Sequence, residues 1–110
     1  MDDFIQTTLA LHSPELVLIG EEYIDSGEDL LAAAKELQEK GQTAIDTLKP
    51  RYEGQFKAAW IKDDALKEMI REFGVTGENK SFILTEMKKI AKMNRDIASL
   101  IRNLIKELPV

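Results

Sequence analysis

The segment ILTEMKKIAKMNRDIASLIRNLIKEL, residues 83–108, has the most regular apolar pattern in this 110-residue chain. Its apolar side chains recur seven residues apart in rows offset by three or four residues, the spacing that places them on one face of an α-helix. The rows are Ile83, Ile90, Ile97 and Leu104; Met87, Asn94, Ile101 and Leu108; and Leu84, Ala91, Ala98 and Ile105. The pattern predicts a helix over about 80–108 that packs through a heptad seam.

Asn94 is the polar member of that seam. A single buried amide in a heptad seam commonly specifies the register or the choice of partner. The alternative is an edge position at which water solvates the amide. The sequence leaves both open, and Asn94 is a candidate interface residue.

A second heptad pattern covers residues 14–48, where Ser13 suits an N-cap and Pro14 the first helical position. Its apolar row is Leu16, Tyr23, Leu30, Leu37 and Ala44, and the row beside it is Gly20, Gly27, Ala34, Gly41 and Leu48. Glycine inside a helix costs roughly 0.5–1 kcal/mol of stability relative to alanine, so a row of glycines indicates that a structural or functional gain offsets this cost. It predicts one continuous helix that a second helix approaches closely, in this chain or in a partner. The alternative is that the glycines divide the segment into shorter helices.

Pro50 predicts the end of this first helix and a turn through residues 49–54. Another amphipathic helix follows over about 55–73. Gly74 suits the left-handed residue that ends a helix, and Val75 could make the hydrophobic contact beyond it.

These segments predict an all-α protein with a single domain, residues 1–110. It is either an elongated helical hairpin with a break near 74–79 or a three-helix bundle, with coiled-coil-like heptad packing. The predicted parts are a lead segment, 1–12, and helices over about 14–48, 55–73 and 80–108.

The composition excludes several classes of function. The chain has no cysteine and one histidine, His12, so the sequence predicts no metal site, no cofactor and no thiol chemistry. No residues have the spacing of a nucleophile and its base, so we expect no catalytic site and no small-molecule substrate. A net charge of −5 argues against nucleic acid as a partner.

Charge is distributed unevenly along the chain. Residues 1–50 hold eleven acidic and three basic residues, whereas residues 51–110 hold nine acidic and twelve basic ones. This predicts that an acidic first helix lies beside a basic last helix, in this chain or in a partner. No segment has the length of apolar sequence that a membrane span needs, and the acidic N-terminus does not match a secretory signal peptide. We therefore expect a cytoplasmic protein, or one exported without a cleaved signal.

The stretch Tyr52-Glu53-Gly54 falls at the predicted turn, and Phe56 follows it. This arrangement resembles the WXG-type helical hairpin proteins of type VII secretion in Gram-positive bacteria, which carry a Trp-x-Gly motif at the turn. Tyr52 replaces the tryptophan, Gly54 matches the glycine, and Phe56 matches the apolar residue after the motif. The resemblance also implies an export element, whose nearest match is Phe82-x-x-x-Glu86, with phenylalanine replacing the family's tyrosine.

The resemblance implies a non-enzymatic protein that pairs with a larger effector or toxin, as a secretion partner, targeting factor or substrate. The alternatives are a cytosolic export chaperone of flagellar or type III systems, which shields a partner's amphipathic helix, and an immunity-like binding protein. We expect a protein partner, either a helical effector or a second copy. The predicted interface residues are Gly20, Gly27, Ala34, Gly41, Asn94 and Trp60.

Overall fold

The computed structural model describes residues 14–108, which form three α-helices and contain no strand. The helices are α1, Pro14–Glu39; α2, Gln42–Phe73; and α3, Lys80–Glu107. At 1.5 Å per residue these helices are roughly 39–48 Å long. They must therefore run along the long axis of a molecule that measures 51 × 20 × 19 Å. The all-α, bundle-like prediction is confirmed, and α3 ends one residue before the predicted boundary.

The predicted first helix, 14–48, is wrong at its C-terminal end. Helix α1 stops at Glu39, and a two-residue connection joins it to α2. Gly41 adopts a φ of +99°, and its amide donates to the Gln38 carbonyl oxygen at 3.1 Å. A positive φ is strained for residues with a side chain, so the glycine that the heptad row placed in the seam instead makes the turn.

The predicted turn at 49–54 and the predicted start of a helix at 55 are also wrong. Residues Gln42–Phe73 form one helix with Pro50 inside it. Proline removes the hydrogen bond to the carbonyl of Asp46, but both residues are exposed, so water can solvate that carbonyl. Ala44 and Leu48 are buried in the core on the same helix. Packing on both sides of Pro50 thus outweighs the proline penalty.

The helix stop at Gly74 is confirmed. Gly74 has a φ of +69°, and its amide donates to the Ile70 carbonyl oxygen at 2.8 Å. Val75 follows and is only 6 % exposed. In the loop, the Asn79 Oδ1 accepts from the Thr76 amide at 2.7 Å, and its Nδ2 donates to the Gly74 carbonyl oxygen at 2.9 Å. These bonds hold the start of α3 against the end of α2.

Helix α3 is the centre of the bundle, because α1 and α2 both pack mainly on it and touch each other at few places. Most members of the predicted rows of α3 are buried, with Ile83, Met87, Ile90 and Ile101 fully inaccessible. The partly buried members are Leu84, Asn94, Ile105 and Leu108. The core forms two clusters, one at each end of the molecule. The first contains Leu16, Ile19, Tyr23, Leu66, Ile70, Val75, Ile83, Met87 and Ile90; the second contains Leu30, Ala33, Leu37, Ala44, Leu48, Ala59, Ile97, Ala98, Ile101 and Leu104.

Ion pairs join the acidic α1 to the basic α3, as the charge distribution predicted. They are Glu15–Lys80 at 3.7 Å, Glu22–Arg95 at 2.9 Å and Glu36–Arg102 at 3.1 Å. All six side chains are substantially exposed, so each pair contributes roughly 0–1 kcal/mol. Their main effect is to fix the alignment of α1 along α3.

Candidate functional site

A groove separates α1 from α2 along the middle of the bundle. Its walls run from Tyr23 to Ala34 on α1 and from Phe56 to Lys67 on α2, and Asn94 of α3 contributes to its lining. It consists of two adjoining parts of about 350 Å³ and about 410 Å³. Each wall spans twelve residues, which corresponds to roughly 16 Å between its ends, or about three helical turns.

The walls of the groove are mostly apolar. Ile24, Leu30 and Leu31 lie on the α1 side, and Phe56, Ala59 and Trp60 on the α2 side. Leu31 is 56 % exposed and Trp60 is 60 % exposed, so two large apolar side chains are only partly covered. Apolar side chains that line one continuous groove are more informative than single exposed ones, because monomeric proteins rarely expose large contiguous apolar patches.

Gly27 has no side chain and therefore leaves open space in the α1 wall of the groove. A β-carbon at this position would have no neighbouring atom within 4 Å outside its own helix. The close helix approach that the glycine row predicted therefore does not occur at Gly27 within this chain. The space beside this glycine belongs to the groove.

Polar groups are placed among these apolar walls. The Tyr23 hydroxyl oxygen is buried, and it makes no hydrogen bond within residues 14–108. Asn94 Nδ2 lies 3.4 Å from Ser26 Oγ, and the Ser26 hydroxyl itself donates to the Tyr23 carbonyl oxygen at 2.7 Å. A buried hydroxyl without a partner costs roughly 1–3 kcal/mol. The hydroxyl oxygen has almost no accessible surface, so a group that enters the groove can reach it only if the Tyr23 side chain moves.

The α2 wall carries a partly buried ion pair. Lys67 Nζ lies 2.9 Å from Asp63 Oδ2, and the two side chains are 11 % and 22 % exposed. Asp63 interrupts the apolar stripe of α2 in the sequence, and the pair explains how that position is tolerated.

Most of the predicted interface residues meet at this groove. Gly27, Ala34, Asn94 and Trp60 line it. Trp60 is exposed. Gly20 is buried in α1 before the groove begins, and Gly41 is at the turn outside it.

The turn motif is corrected. Tyr52, Gly54 and Phe56 lie inside α2 and make no turn. Tyr52 packs against the second core cluster, and burial, with a smaller effect of the Glu53 carboxylate, raises its pKa. Gly54 is exposed, whereas Phe56 is half-buried and lines the groove.

The predicted export residues are on a different surface. Phe82 is 52 % exposed, and Glu86 pairs with Lys62 at 3.2 Å between Nζ and Oε2. Together with Met69 they line a shallow depression between α2 and α3. This placement neither supports nor opposes a role in export.

Sequence reasoning missed Leu31, Tyr23 and the Asp63–Lys67 pair as site residues. Tyr23 was assigned to a heptad row, and such a row does not distinguish a side chain that faces another helix from one that faces open space. The sequence did indicate that Asp63 is unusual, because a carboxylate on the apolar face of a helix needs a nearby cation.

Within residues 14–108, no cluster of three His or acidic side chains could hold a metal ion, and none of the helices meets the length and hydropathy of a membrane span. His12, the 1–12 lead segment and the Ser13 cap lie outside the described residues. Comparisons with protein-family models, with curated proteins and with solved structures gave no match.

Proposed function

We propose that this protein is a non-enzymatic helical binding protein that receives an amphipathic helix of another protein in the groove between α1 and α2. The observation that carries the proposal is the groove itself, in which two helices of one bundle leave an apolar gap beside Trp60 and Leu31. A helix placed there would complete a four-helix bundle and cover both side chains.

The dimensions of the groove favour a helix over a small molecule. Its two walls run for about three turns each, and a helix of similar length could contact both of them. The lining is a long apolar stripe with few polar groups, which suits the apolar face of an amphipathic helix. A small-molecule site more commonly encloses its ligand.

Trp60 and Leu31 would anchor the partner. Tryptophan is enriched among the residues that dominate binding energy at interfaces. Trp60 is mostly exposed in the free protein, so replacing it should affect binding far more than stability.

Two narrower functions remain proposals. An export chaperone that shields a partner's amphipathic helix is supported by the groove. A type VII secretion partner or substrate is supported by the helical content, whereas the turn motif no longer supports it, because Tyr52 and Gly54 lie inside α2.

The test uses the fluorescence of Trp60, the only tryptophan of the chain. The probe is a synthetic amphipathic helix of about five turns, with leucine on one face and equal numbers of lysine and glutamate on the other. Binding in the groove should move the Trp60 emission to shorter wavelength in a saturable way.

Gly27→Leu serves as the blocking variant, because a side chain at Gly27 would enter the open groove. Gly54→Leu is its matched control, since Gly54 is also helical, also has open space at its β-carbon, and is not part of the groove lining. We expect Gly27→Leu to weaken binding at least about tenfold and Gly54→Leu to leave it unchanged. Absence of a shift in the parent protein, or equal binding by the two variants, would overturn the proposed function.

A further inference from the structure

We propose that the helix bound in this groove is basic, with lysine or arginine side chains along the edge that faces α1. The inference rests on the proposed function, and it specifies the chemistry of the partner. It follows from the charges on α1 and from the polar groups that line the groove.

Helix α1 carries eight carboxylates and one lysine. Three of the carboxylates pair with cations of α3, as described above. Five others are exposed and form no ion pair within residues 14–108: Glu21, Asp25, Glu28, Asp29 and Glu39, the last of which lies at the end of α1 beyond the groove. Like charges three or four residues apart on a helix destabilise it slightly. A cationic partner would remove that repulsion.

These unpaired carboxylates lie on two edges of α1. Glu28 lines the groove, and Glu21 lies seven residues earlier, two helical turns along the same edge. Asp25 lies between them, within one turn of each. Glu21 and Glu28 form the acidic rim of the groove, whereas Asp25 is also within one turn of Glu22 and Asp29 and lies between the two edges. Asp29 is seven residues from both Glu22 and Glu36, which pair with α3, so it belongs to the opposite edge.

The α2 side of the groove has no such excess. Helix α2 holds six acidic and six basic residues. Lys57 pairs with Glu53 at 3.9 Å, and Lys67 pairs with Asp63 at 2.9 Å. The attraction for cations therefore comes from the acidic rim, which is why we place the basic edge of the partner next to α1.

The polar groups of the lining bear on the chemistry of the bound helix. The Tyr23 hydroxyl has no hydrogen-bond partner within residues 14–108, and the Tyr23 residue is only 5 % exposed. Asn94 lies in the same lining. A polar side chain in the middle of the incoming helix could bond to the half-buried Asn94 amide, and it could satisfy the Tyr23 hydroxyl only if the Tyr23 side chain turned toward the groove.

A second copy of this chain fits the groove less well. Its basic helix, α3, has its apolar face buried between α1 and α2. Its α1 would bring a second set of carboxylates to the acidic rim, and its α2 has no excess of positive charge. The occupant with complementary charge is thus a helix of a different protein.

The experiment compares two synthetic helices with identical leucine faces, one with lysine and one with glutamate on the polar face. Trp60 emission reports binding of each one at low and at high salt. We expect the lysine peptide to bind at least about tenfold more tightly at low salt, and the difference to shrink as salt screens the charges.

A charge-reversal variant tests whether the acidic rim is responsible. Glu21→Lys with Glu28→Lys should remove most of the preference for the lysine peptide. The control, Asp29→Lys with Glu72→Lys, has the same net charge but changes exposed residues that do not line the groove. If both variants lose the preference equally, the attraction is to the whole protein and the inference is wrong.

The outcomes separate this inference from the proposed function. If both peptides bind equally and Gly27→Leu blocks both, the groove binds helices but the basic partner is wrong. If neither peptide binds, or if Gly27→Leu has no effect on either, the proposed function fails as well. If Trp60 emission shifts with protein concentration in the absence of peptide, a second copy occupies the groove and the inference is overturned.

Discussion

Asp63 and Lys67 lie one helical turn apart on α2 and form an ion pair of 2.9 Å in the wall of the groove, with side chains 22 % and 11 % exposed. Each charged group is largely removed from water, so each depends on the other. The pair lies beside Gly27 and Asn94, in the part of the molecule that we propose binds a partner.

Removing one member of this pair should destabilise the fold. We expect Asp63→Ala to lower the free energy of unfolding by roughly 1–3 kcal/mol, because it leaves the Lys67 ammonium in a mostly buried position. The double variant Asp63→Leu with Lys67→Met should recover most of that loss, since it leaves no unpaired charge. Urea unfolding followed by circular dichroism measures both. A double variant as unstable as the sum of its two single substitutions would show that the pair does not compensate its burial.

Replacing Pro50 should stabilise the protein. Pro50 lies in the interior of α2, where proline typically costs about 3 kcal/mol. We expect Pro50→Ala to raise the free energy of unfolding by roughly 1–3 kcal/mol and to increase the helical signal. The measurement also decides between a continuous helix and the turn predicted from the sequence. A loss of stability would indicate that residues 49–54 need the proline for a turn.

Two glycines should respond to alanine in opposite directions. Gly54 is exposed within α2, and a β-carbon there meets no atom within 4 Å, so Gly54→Ala should raise the free energy of unfolding by roughly 0.5–1 kcal/mol. Gly41 also has open space, but its φ is +99°, so Gly41→Ala should lower that free energy by roughly 1–2 kcal/mol. Thermal unfolding of the two variants is a direct comparison. A shift of the same sign in both would contradict the assignment of the turn to residues 40–41.

Tyr52 should make stability fall at alkaline pH. Its pKa is raised from 10.0 by burial and, to a smaller extent, by the Glu53 carboxylate, so the folded state favours the protonated phenol more than the unfolded state does. This contribution is complete below the unfolded pKa and is lost as the pH rises through the folded pKa. Stability should therefore fall above about pH 10, and Tyr52→Phe should reduce the fall. Identical pH profiles for the two proteins would rule out this origin of the alkaline loss.

Much of the fold could be predicted from the sequence, and the errors have a common origin. The heptad rows identified α3 and one buried row of α1, because apolar spacing reports which helix face is removed from water, but they missed the buried row of Ile19, Ser26 and Ala33. Gly74 ended α2 as predicted, since its role depends on a local backbone conformation. Pro50 and Gly41 were misjudged because both are unfavourable in a helix, and the sequence does not tell which one the surrounding packing compensates.

The candidate site could be predicted only in part. Gly27, Ala34, Asn94 and Trp60 were predicted as interface residues, and all four line the groove. Leu31 and Tyr23 were not predicted, because a heptad position is apolar both when its side chain faces another helix and when it faces an open groove. The turn motif failed for a related reason: an aromatic residue and a glycine near a proline have the composition of a turn but can also continue a helix.

The sequence by itself determined that the chain is helical, which faces are apolar, and that the first helix is acidic and the last one basic. These properties depend on residue spacing and on charge, which are local. Only the tertiary structure decided where the chain reverses, because Gly41 and Pro50 compete through the packing that each arrangement allows. The groove was decided in the same way. It exists because α1 and α2 both pack on α3 and only slightly on each other, a relationship between distant segments that no local pattern contains.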